Sequence, residues 1–267
     1  MEIKDLLEDL EENERRLILE EIFNIDRTSY YLGNFNLSGE EYKELKNLVE
    51  KRKEGYPLQY LIGKWWVYGL ELFVEEGVLI PRFETEILID RAVNLKKEFK
   101  KILDIGTGTG LIAIALAKEF KNAEIIGLDI NPKAIDLAKK NARHHKVDNI
   151  KFIESDLFSN LKEKDFDLII SNPPYIDKNL KKSLQKELTY EDDRALYSGS
   201  SGLDLIRKII IESRDLSKEF NLLLEIGYDQ GESVKNLLSK ALYKNIEITK
   251  DLNNFDRVAE GYYNAFT

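Results

Sequence analysis

From Lys101 onward, apolar strand-like runs alternate with helical segments, and this alternation restricts the fold of the 267-residue chain more than any other feature. Chains of this kind form a parallel sheet with helices on both faces. The last two runs follow each other with no helix between them, so one of these strands should be antiparallel. The sequence predicts an α/β fold whose seven-stranded sheet contains Lys101–Ile105, Glu124–Asp129, Ile150–Glu154, Asp167–Ser171, Asn221–Ile226, Ile246–Thr249 and Arg257–Tyr263. The predicted helices are Leu111–Phe120, Pro132–His145, Leu203–Glu219 and Gln230–Leu242.

The fourth strand stops abruptly at Asn172-Pro173-Pro174-Tyr175. Because proline lacks an N–H donor and fixes φ, the strand cannot continue past Asn172. A polar amide and an aromatic ring are therefore presented on a stiff turn at the carboxyl end of a strand. Open α/β sheets bind their ligands at this edge. Taken alone, the pattern is equally typical of an ordinary turn that ends a strand.

A glycine-rich loop, Asp104 to Gly110, follows the first strand and opens a helix. Glycines at this position let the backbone turn tightly and approach a ligand beside the N–H groups of the helix start. The dinucleotide fingerprint requires a third glycine where this chain has Leu111, whose side chain would crowd a pyrophosphate. The loop also lacks the lysine of a phosphate-binding P-loop. A ligand without phosphate at this position is the better prediction.

Acidic residues end or follow the second and third strands. Asp129 can accept both hydroxyls of a ribose, which suits NAD equally well. Asp156 can accept a hydrogen bond from an adenine amino group, with Leu157 packing beside the base. Either aspartate alone is also typical of a loop cap, but four consecutive strand ends with polar residues form a much more specific pattern.

The first 55 residues or so contain only helical patterns, which predicts a small bundle. Ser38 and Glu41 form a capping-box signature before the third amphipathic segment. Aromatic and β-branched residues near 65–74, with glycines at 69 and 77, then predict a β-hairpin. The predicted division is a helical domain at 1–64, a hairpin linker at 65–80 and an α/β domain at 81–267.

Together, the glycine loop, Asp129, Asp156-Leu157 and Asn172–Tyr175 resemble a class I S-adenosylmethionine-dependent methyltransferase with a Rossmann-like sheet. The Asn-Pro-Pro-Tyr form is similar to that of enzymes that methylate planar nitrogens: glutamine amides, adenine N6 and guanine N2. Further segments resemble the peptide chain release factor glutamine methyltransferases, namely Pro57–Gly63, Val78–Glu86, Ala195-Leu196, Leu224–Gly227 and Asp256–Val258. The resemblance covers nearly the whole chain. It implies S-adenosylmethionine as cofactor and methyl transfer to the glutamine of the Gly-Gly-Gln motif in class I release factors.

The strand ends and the resemblance together give three sets of candidate residues. The catalytic set is Asn172, Pro173 and Tyr175. The cofactor set is Asp104, Gly106, Thr107, Gly108, Thr109, Gly110, Asp129, Asp156, Leu157 and Asn172. The substrate set is Asn172, Pro173, Pro174, Tyr175, Arg82, Phe83 and Glu191. Two residues depart from the family pattern, since Phe83 and Asp192 stand where proline is expected.

Composition limits the alternatives. The absence of cysteine excludes disulfides and thiolate chemistry and fits a reducing cytoplasm, and two adjacent histidines make a zinc site a poor expectation. A net charge of −9 argues against a nucleic-acid adenine or guanine methyltransferase, which needs a basic surface, although a local basic patch stays possible. The charged segment 176–202 contains lysines at 178, 181, 182 and 186 and is expected to be a solvated face, with a recognition surface as the alternative. No membrane segment or signal peptide is expected.

Overall fold

A computed structural model describes residues 3–266, apart from the side chains of Lys4 and Lys182. The helices in this range are α1 Ile3–Leu7, α2 Glu12–Phe23, α3 Arg27–Leu32, α4 Gly39–Lys53, α5 Leu58–Ile62, α6 Thr85–Asn94, α7 Leu111–Glu119, α8 Pro132–His144, α9 Asp193–Leu196, α10 Asp204–Glu212 and α11 Gly231–Lys240. The strands are β1 Lys64–Val67, β2 Leu70–Phe73, β3 Lys101–Ile105, β4 Glu124–Asp129, β5 Ile150–Glu154, β6 Leu168–Ser171, β7 Glu219–Glu225, β8 Lys244–Lys250 and β9 Asp256–Asn264. Short 3₁₀ helices lie at Lys178–Ser183, Lys186–Tyr190 and Ser213–Asp215.

Within the described residues, the main sheet has seven strands in the order β5-β4-β3-β6-β7-β9-β8. Strands β3 to β7 are parallel to one another, whereas β9 runs antiparallel to both of its neighbours. The predicted fold, with a single antiparallel strand among the last two, is therefore confirmed.

Successive residues of the central strands enter two different cores. Ile102 and Ile125 pack on the face that α6 and α7 cover, while Leu103 and Ile126 pack on the face that α10 and α11 cover. Side chains alternate across a strand, so a strand that is buried on both faces needs apolar residues at every position. This requirement explains the continuous apolar runs in the sequence. Because β3 to β6 are parallel, their carboxyl ends lie at a single edge of the sheet.

One predicted helix is too long. The expected helix Leu203–Glu219 is α10, Asp204–Glu212, followed by a 3₁₀ turn, and Glu219 already belongs to β7. The turn from helix to strand contains neither glycine nor proline, so local sequence signals do not mark it.

The N-terminal helices α1 to α5 bury their apolar residues against one another, as the helical spacing predicts. At the start of α4, the Ser38 side chain accepts a hydrogen bond from the Glu41 backbone N–H. The Glu41 carboxylate accepts one from the Ser38 backbone N–H in return. The predicted capping box is therefore present.

A two-residue turn, Tyr68-Gly69, joins β1 to β2, and both of its residues have positive φ, as tight hairpins require. The hairpin does not lie free between the two domains. Its Val67, Leu70 and Leu72 side chains are buried in the same core as the residues of α7. The hairpin therefore belongs structurally to the α/β unit.

No helix in the part of the chain that the structure describes combines the length and the apolar character needed to cross a membrane.

Candidate active site

A cavity of about 690 Å³ lies at the carboxyl ends of β3, β4, β5 and β6. Its size falls within the range typical of small-molecule sites. Eight of the residues that the sequence singles out line it: Gly106, Gly108, Asp129, Asp156, Leu157, Asn172, Pro173 and Pro174. The order of the strands thus brings together side chains that are up to 68 positions apart in the chain.

The glycine loop crosses the cavity floor in left-handed backbone conformations. Gly106 and Gly108 have φ values of 72° and 55°, a region that costs other residues free energy. The N–H groups of Gly106 and Thr107 both donate to the carbonyl oxygen of Leu128, each at 2.8 Å. These bonds fix the loop against the end of β4.

Other residues of the loop support it from beneath. Thr107 Oγ1 donates to Asp104 Oδ2 at 2.7 Å, and the Asp104 side chain is completely buried. Burial raises the pKa of Asp104 to about 7, although the bonds from Thr107 and from the Ala113 backbone N–H act in the opposite direction. The Thr109 carbonyl accepts a hydrogen bond from Asn141 at 2.8 Å. Asp104, Thr107 and Thr109 therefore hold the shape of the loop rather than facing the cavity.

Asp129 is fixed by two backbone donors at the end of β4. Its Oδ2 accepts from the Gly108 N–H at 2.9 Å, and its Oδ1 accepts from the Asn131 N–H at 2.8 Å. Burial raises the pKa of Asp129, while these two bonds lower it. Each carboxylate oxygen can accept a further hydrogen bond, so the group can receive a pair of hydroxyls.

Asp156 and Leu157 follow β5 in an unusual local conformation. Leu157 has a φ of 47°, which is rare for a residue with a side chain. Ser155 Oγ donates to the Leu157 carbonyl at 2.7 Å and accepts from the Asn160 N–H at 3.0 Å. These contacts hold the strained turn, and both Asp156 and Leu157 line the cavity.

A buried hydrogen-bond network lies behind the Asn172–Tyr175 turn. Asn172 Nδ2 donates to Thr85 Oγ1 at 3.0 Å, and Thr85 Oγ1 donates to Glu225 Oε2 at 2.7 Å. The Tyr175 hydroxyl donates to the other oxygen, Glu225 Oε1, at 3.2 Å. The Tyr175 ring packs against the core beneath α10 and α11, and burial raises the pKa of its hydroxyl.

The remaining candidates for substrate contact lie outside the cavity lining. Arg82 Nη2 donates to Glu191 Oε1 at 2.6 Å, and this pair joins the segment before α6 to the segment 176–202. The pKa of Glu191 is raised, because the effect of burial is larger than the opposing effect of the nearby Arg82 guanidinium. Phe83 is 58% exposed, with its ring centroid 6.3 Å from that of Trp65. Asp192, by contrast, lines the cavity, where it accepts a hydrogen bond from Asn131 Nδ2 at 3.0 Å.

Sequence reasoning did not single out Thr85, Glu225 or Asn141 as residues of the site. Thr85 and Glu225 lie within segments that carry the family resemblance, but their pairing joins positions 140 residues apart. A glutamate at the end of an otherwise apolar strand was the available signal, since a buried carboxylate requires partners.

Two domain models match the chain. Residues 83–224 match the methyltransferase small domain, and residues 2–63 match the PrmC N-terminal domain. Among solved structures, a methyltransferase from Pyrococcus furiosus shares the fold with a TM-score of 0.54, at 16% identity over 74% of this chain and 90% of its own. The fold, the cavity and the matched domain define an S-adenosylmethionine-dependent methyltransferase.

Sequence relatives make the assignment narrower. The release factor glutamine methyltransferase of Dictyoglomus turgidum is 45% identical over 84% of this chain and 81% of its own. The enzyme of the same name from Escherichia coli is 39% identical over 92% of this chain and 90% of its own. This chain belongs to the release factor glutamine methyltransferase family.

Proposed function

We propose that this protein transfers the methyl group of S-adenosylmethionine to the side-chain amide nitrogen of glutamine in the Gly-Gly-Gln motif of class I peptide chain release factors. The observation that carries this proposal is the Asn172 amide, which lines the cavity next to two rigid prolines in a chain of this family. Glutamine presents a planar –NH₂ group with two protons. Two acceptors side by side, the Asn172 side-chain oxygen and the Pro173 carbonyl, match these protons.

The residues around the cavity suit this cofactor. Asp129, with two backbone donors already bound, is assigned to the ribose hydroxyls. Asp156 and Leu157 are assigned to the adenine, and Gly106 and Gly108 leave room for the ligand over the loop. The buried Leu111 opens α7 where a pyrophosphate site would need glycine, so a nucleoside without phosphate fits better than a dinucleotide.

The role of the turn follows from the chemistry of the amide. When bound, S-adenosylmethionine supplies an electrophilic methyl group on a sulfonium sulfur. The glutamine nitrogen is a poor nucleophile because its lone pair is delocalised into the carbonyl. The Asn172 side-chain oxygen and the Pro173 carbonyl accept the two protons of the –NH₂ group and direct its nitrogen towards the methyl. Such positioning can lower a barrier by several kcal/mol, up to about 7–11 in ideal cases. The excess proton leaves after the new bond has formed, when the nitrogen has become acidic.

We assign the other candidates to the surroundings of this reaction. Tyr175 fixes the turn through Glu225 and flanks the substrate amide, and Pro174 stiffens the turn. Arg82, Phe83 and Glu191 form the border of the substrate groove. Asp104, Thr107, Thr109 and Gly110, whose N–H donates to the Thr107 carbonyl at 2.8 Å, maintain the glycine loop.

The domain division proposed from the sequence gives recognition to residues 1–64, with 65–80 as the linker and 81–267 as the catalytic domain. Release factors are then the protein partners, and a reaction on the translation machinery places the protein in the cytoplasm. Arg52 Nη1 of α4 donates a hydrogen bond to Glu187 Oε1 at 3.0 Å. This contact joins the helical bundle to the segment 176–202, which borders the cavity.

A parallel labelling assay tests the substrate. Release factor, its Gln→Ala variant in the Gly-Gly-Gln motif, duplex DNA and ribosomal RNA are each incubated with the protein and tritiated S-adenosylmethionine. Label on the intact release factor alone is expected. Label on nucleic acid, or label that persists on the Gln→Ala variant, would refute the proposal and favour an adenine or guanine substrate.

A further inference from the structure

We propose that Thr85 and Glu225 are positioning residues that set the direction of the Asn172 amide, so that its oxygen and not its NH₂ group faces the substrate. The proposal rests on the proposed methyl transfer to a planar –NH₂ group, which needs acceptors on the protein. Neither Thr85 nor Glu225 is among the residues that line the cavity.

The Glu225 carboxylate is fully buried. As a carboxylate it can only accept hydrogen bonds. Its Oε1 accepts from the Tyr175 hydroxyl, and its Oε2 accepts from the Thr85 hydroxyl at 2.7 Å. Threonine has a single hydroxyl proton, and Glu225 takes it.

Thr85 Oγ1 can then only accept from its remaining neighbour, the Asn172 amide at 3.0 Å. Asn172 must therefore present its NH₂ group to Thr85. Because the amide is planar, with oxygen and nitrogen on separate branches, this directs Oδ1 away from Thr85. Asn172 also lines the cavity, so Oδ1 is the atom available to a ligand there.

The opposite orientation is unfavourable at both ends of the network. With Oδ1 facing Thr85, the threonine proton would be drawn from Glu225, leaving a buried carboxylate oxygen without its donor. The Asn172 NH₂ group would then face the –NH₂ group of the substrate, and two donors cannot bind each other. The network therefore determines that Asn172 presents an acceptor, and not a donor, to the reacting nitrogen.

The protonation state of Glu225 also controls the orientation of the Asn172 amide. The pKa of Glu225 is raised to about 7, chiefly by burial and also by the negative charge of Glu84 before α6. The bonds from Thr85 and Tyr175, and the charge of Arg257 on β9, lower it. A protonated Glu225 can donate to Thr85, which releases the threonine proton towards Asn172. The amide orientation is then no longer specified, so the rate should fall on the acid side of neutrality.

Kinetics of three threonine variants test the proposal. Thr85→Val removes the hydroxyl, Thr85→Ser keeps it, and Thr249→Val on the edge strand β8 is the matched control. For Thr85→Val we expect kcat to fall at least tenfold while S-adenosylmethionine affinity, measured by calorimetry, stays within about twofold. Thr85→Ser should recover kcat to within about threefold of the wild type, and Thr249→Val should leave it unchanged. A Thr85→Val enzyme with kcat within twofold of the wild type, or a parallel loss of cofactor affinity, would overturn the assignment.

A direct measurement separates this proposal from the proposed function. In ¹⁵N-labelled wild-type protein, the side-chain amide signals of Asn172 are identified by their loss in Asn172→Ala. These signals should shift with pH around neutrality and should stop doing so in Glu225→Gln. Asn172 signals that coincide in the wild type and in Glu225→Gln at every pH would refute the positioning role, whether or not Thr85→Val folds. A wild-type protein that leaves release factor unlabelled but shows this titration would refute only the substrate assignment.

Discussion

Asp129→Asn is the most informative single substitution at the cofactor site. The change keeps the size of the side chain but replaces one carboxylate oxygen with an NH₂ group. In the wild type each oxygen accepts from a different backbone N–H, those of Gly108 and Asn131. An asparagine can satisfy only one of these donors, and it offers one acceptor instead of two to a pair of ribose hydroxyls.

The expected loss follows from these bonds. A hydrogen bond to a charged acceptor contributes about 1.5–3 kcal/mol. Losing one such bond to the ligand weakens binding about 10- to 140-fold, at 1.4 kcal/mol for each factor of ten. The effect on folding should be smaller, because burial already disfavours the Asp129 carboxylate and raises its pKa. A neutral amide avoids the free-energy cost of burying a charge, and this gain offsets part of the free energy lost with the backbone hydrogen bond.

Calorimetric titration with S-adenosylmethionine measures the change, and urea unfolding reports stability in parallel. Asp136→Asn, an exposed substitution on α8, is the matched control and should bind like the wild type. A dissociation constant for Asp129→Asn within threefold of the wild type would refute the ribose assignment.

Three further predictions concern the turn, the hairpin and pH. Asn172→Ala should lower kcat far more than cofactor affinity, because it removes an interaction made at the transition state; a change in kcat below about threefold, or about 0.6 kcal/mol, would contradict its role. Asn141→Ala should destabilise the protein in urea unfolding by about 1–3 kcal/mol for each buried group that loses its partner. The buried Asn141 side chain bonds the buried Thr109 carbonyl of the glycine loop and the half-buried Phe73 backbone of the hairpin. The exposed Asn236→Ala should have little effect. Asp104 and Glu225 should each lower the free energy of unfolding as pH rises from about 4 to about 7, because they keep their protons in the folded state, with pKa values raised to about 7, after the unfolded chain has lost them. In urea titrations across this pH range, the stability of the wild type relative to Glu225→Gln should therefore fall as pH rises, and a difference that does not change with pH would contradict the raised pKa.

The sequence was sufficient for the sheet and for the strand ends. The apolar runs before Asp104, Asp129 and Asn172 had to be strands buried on both faces, and parallel strands place their carboxyl ends at one edge. That geometry predicts the common location of the cavity residues without any knowledge of contacts. The capping box before α4 was equally accessible, because its partners are only three residues apart.

Contacts between distant segments were not accessible in this way. The bond from Thr85 to Glu225 joins α6 to β7, and the bonds of Asn141 join α8 to β2 and to the glycine loop. No local pattern specifies such partners, since each depends on how separate elements pack. The end of α10 was missed for a related reason, because packing and not a breaker residue ends that helix.

The packing of the hairpin has a consequence for how chains of this kind can be recombined. Val67 and Leu72 cover α7, and Phe73 exchanges two hydrogen bonds with Asn141, so a joint inside 64–73 would expose the helix that follows the glycine loop. A joint before Lys64 leaves these contacts whole, and the N-terminal domain match ends at residue 63. A chimera that exchanges the helical bundle between relatives should therefore fold when the crossover lies at Gly63 and fail when it lies a few residues later.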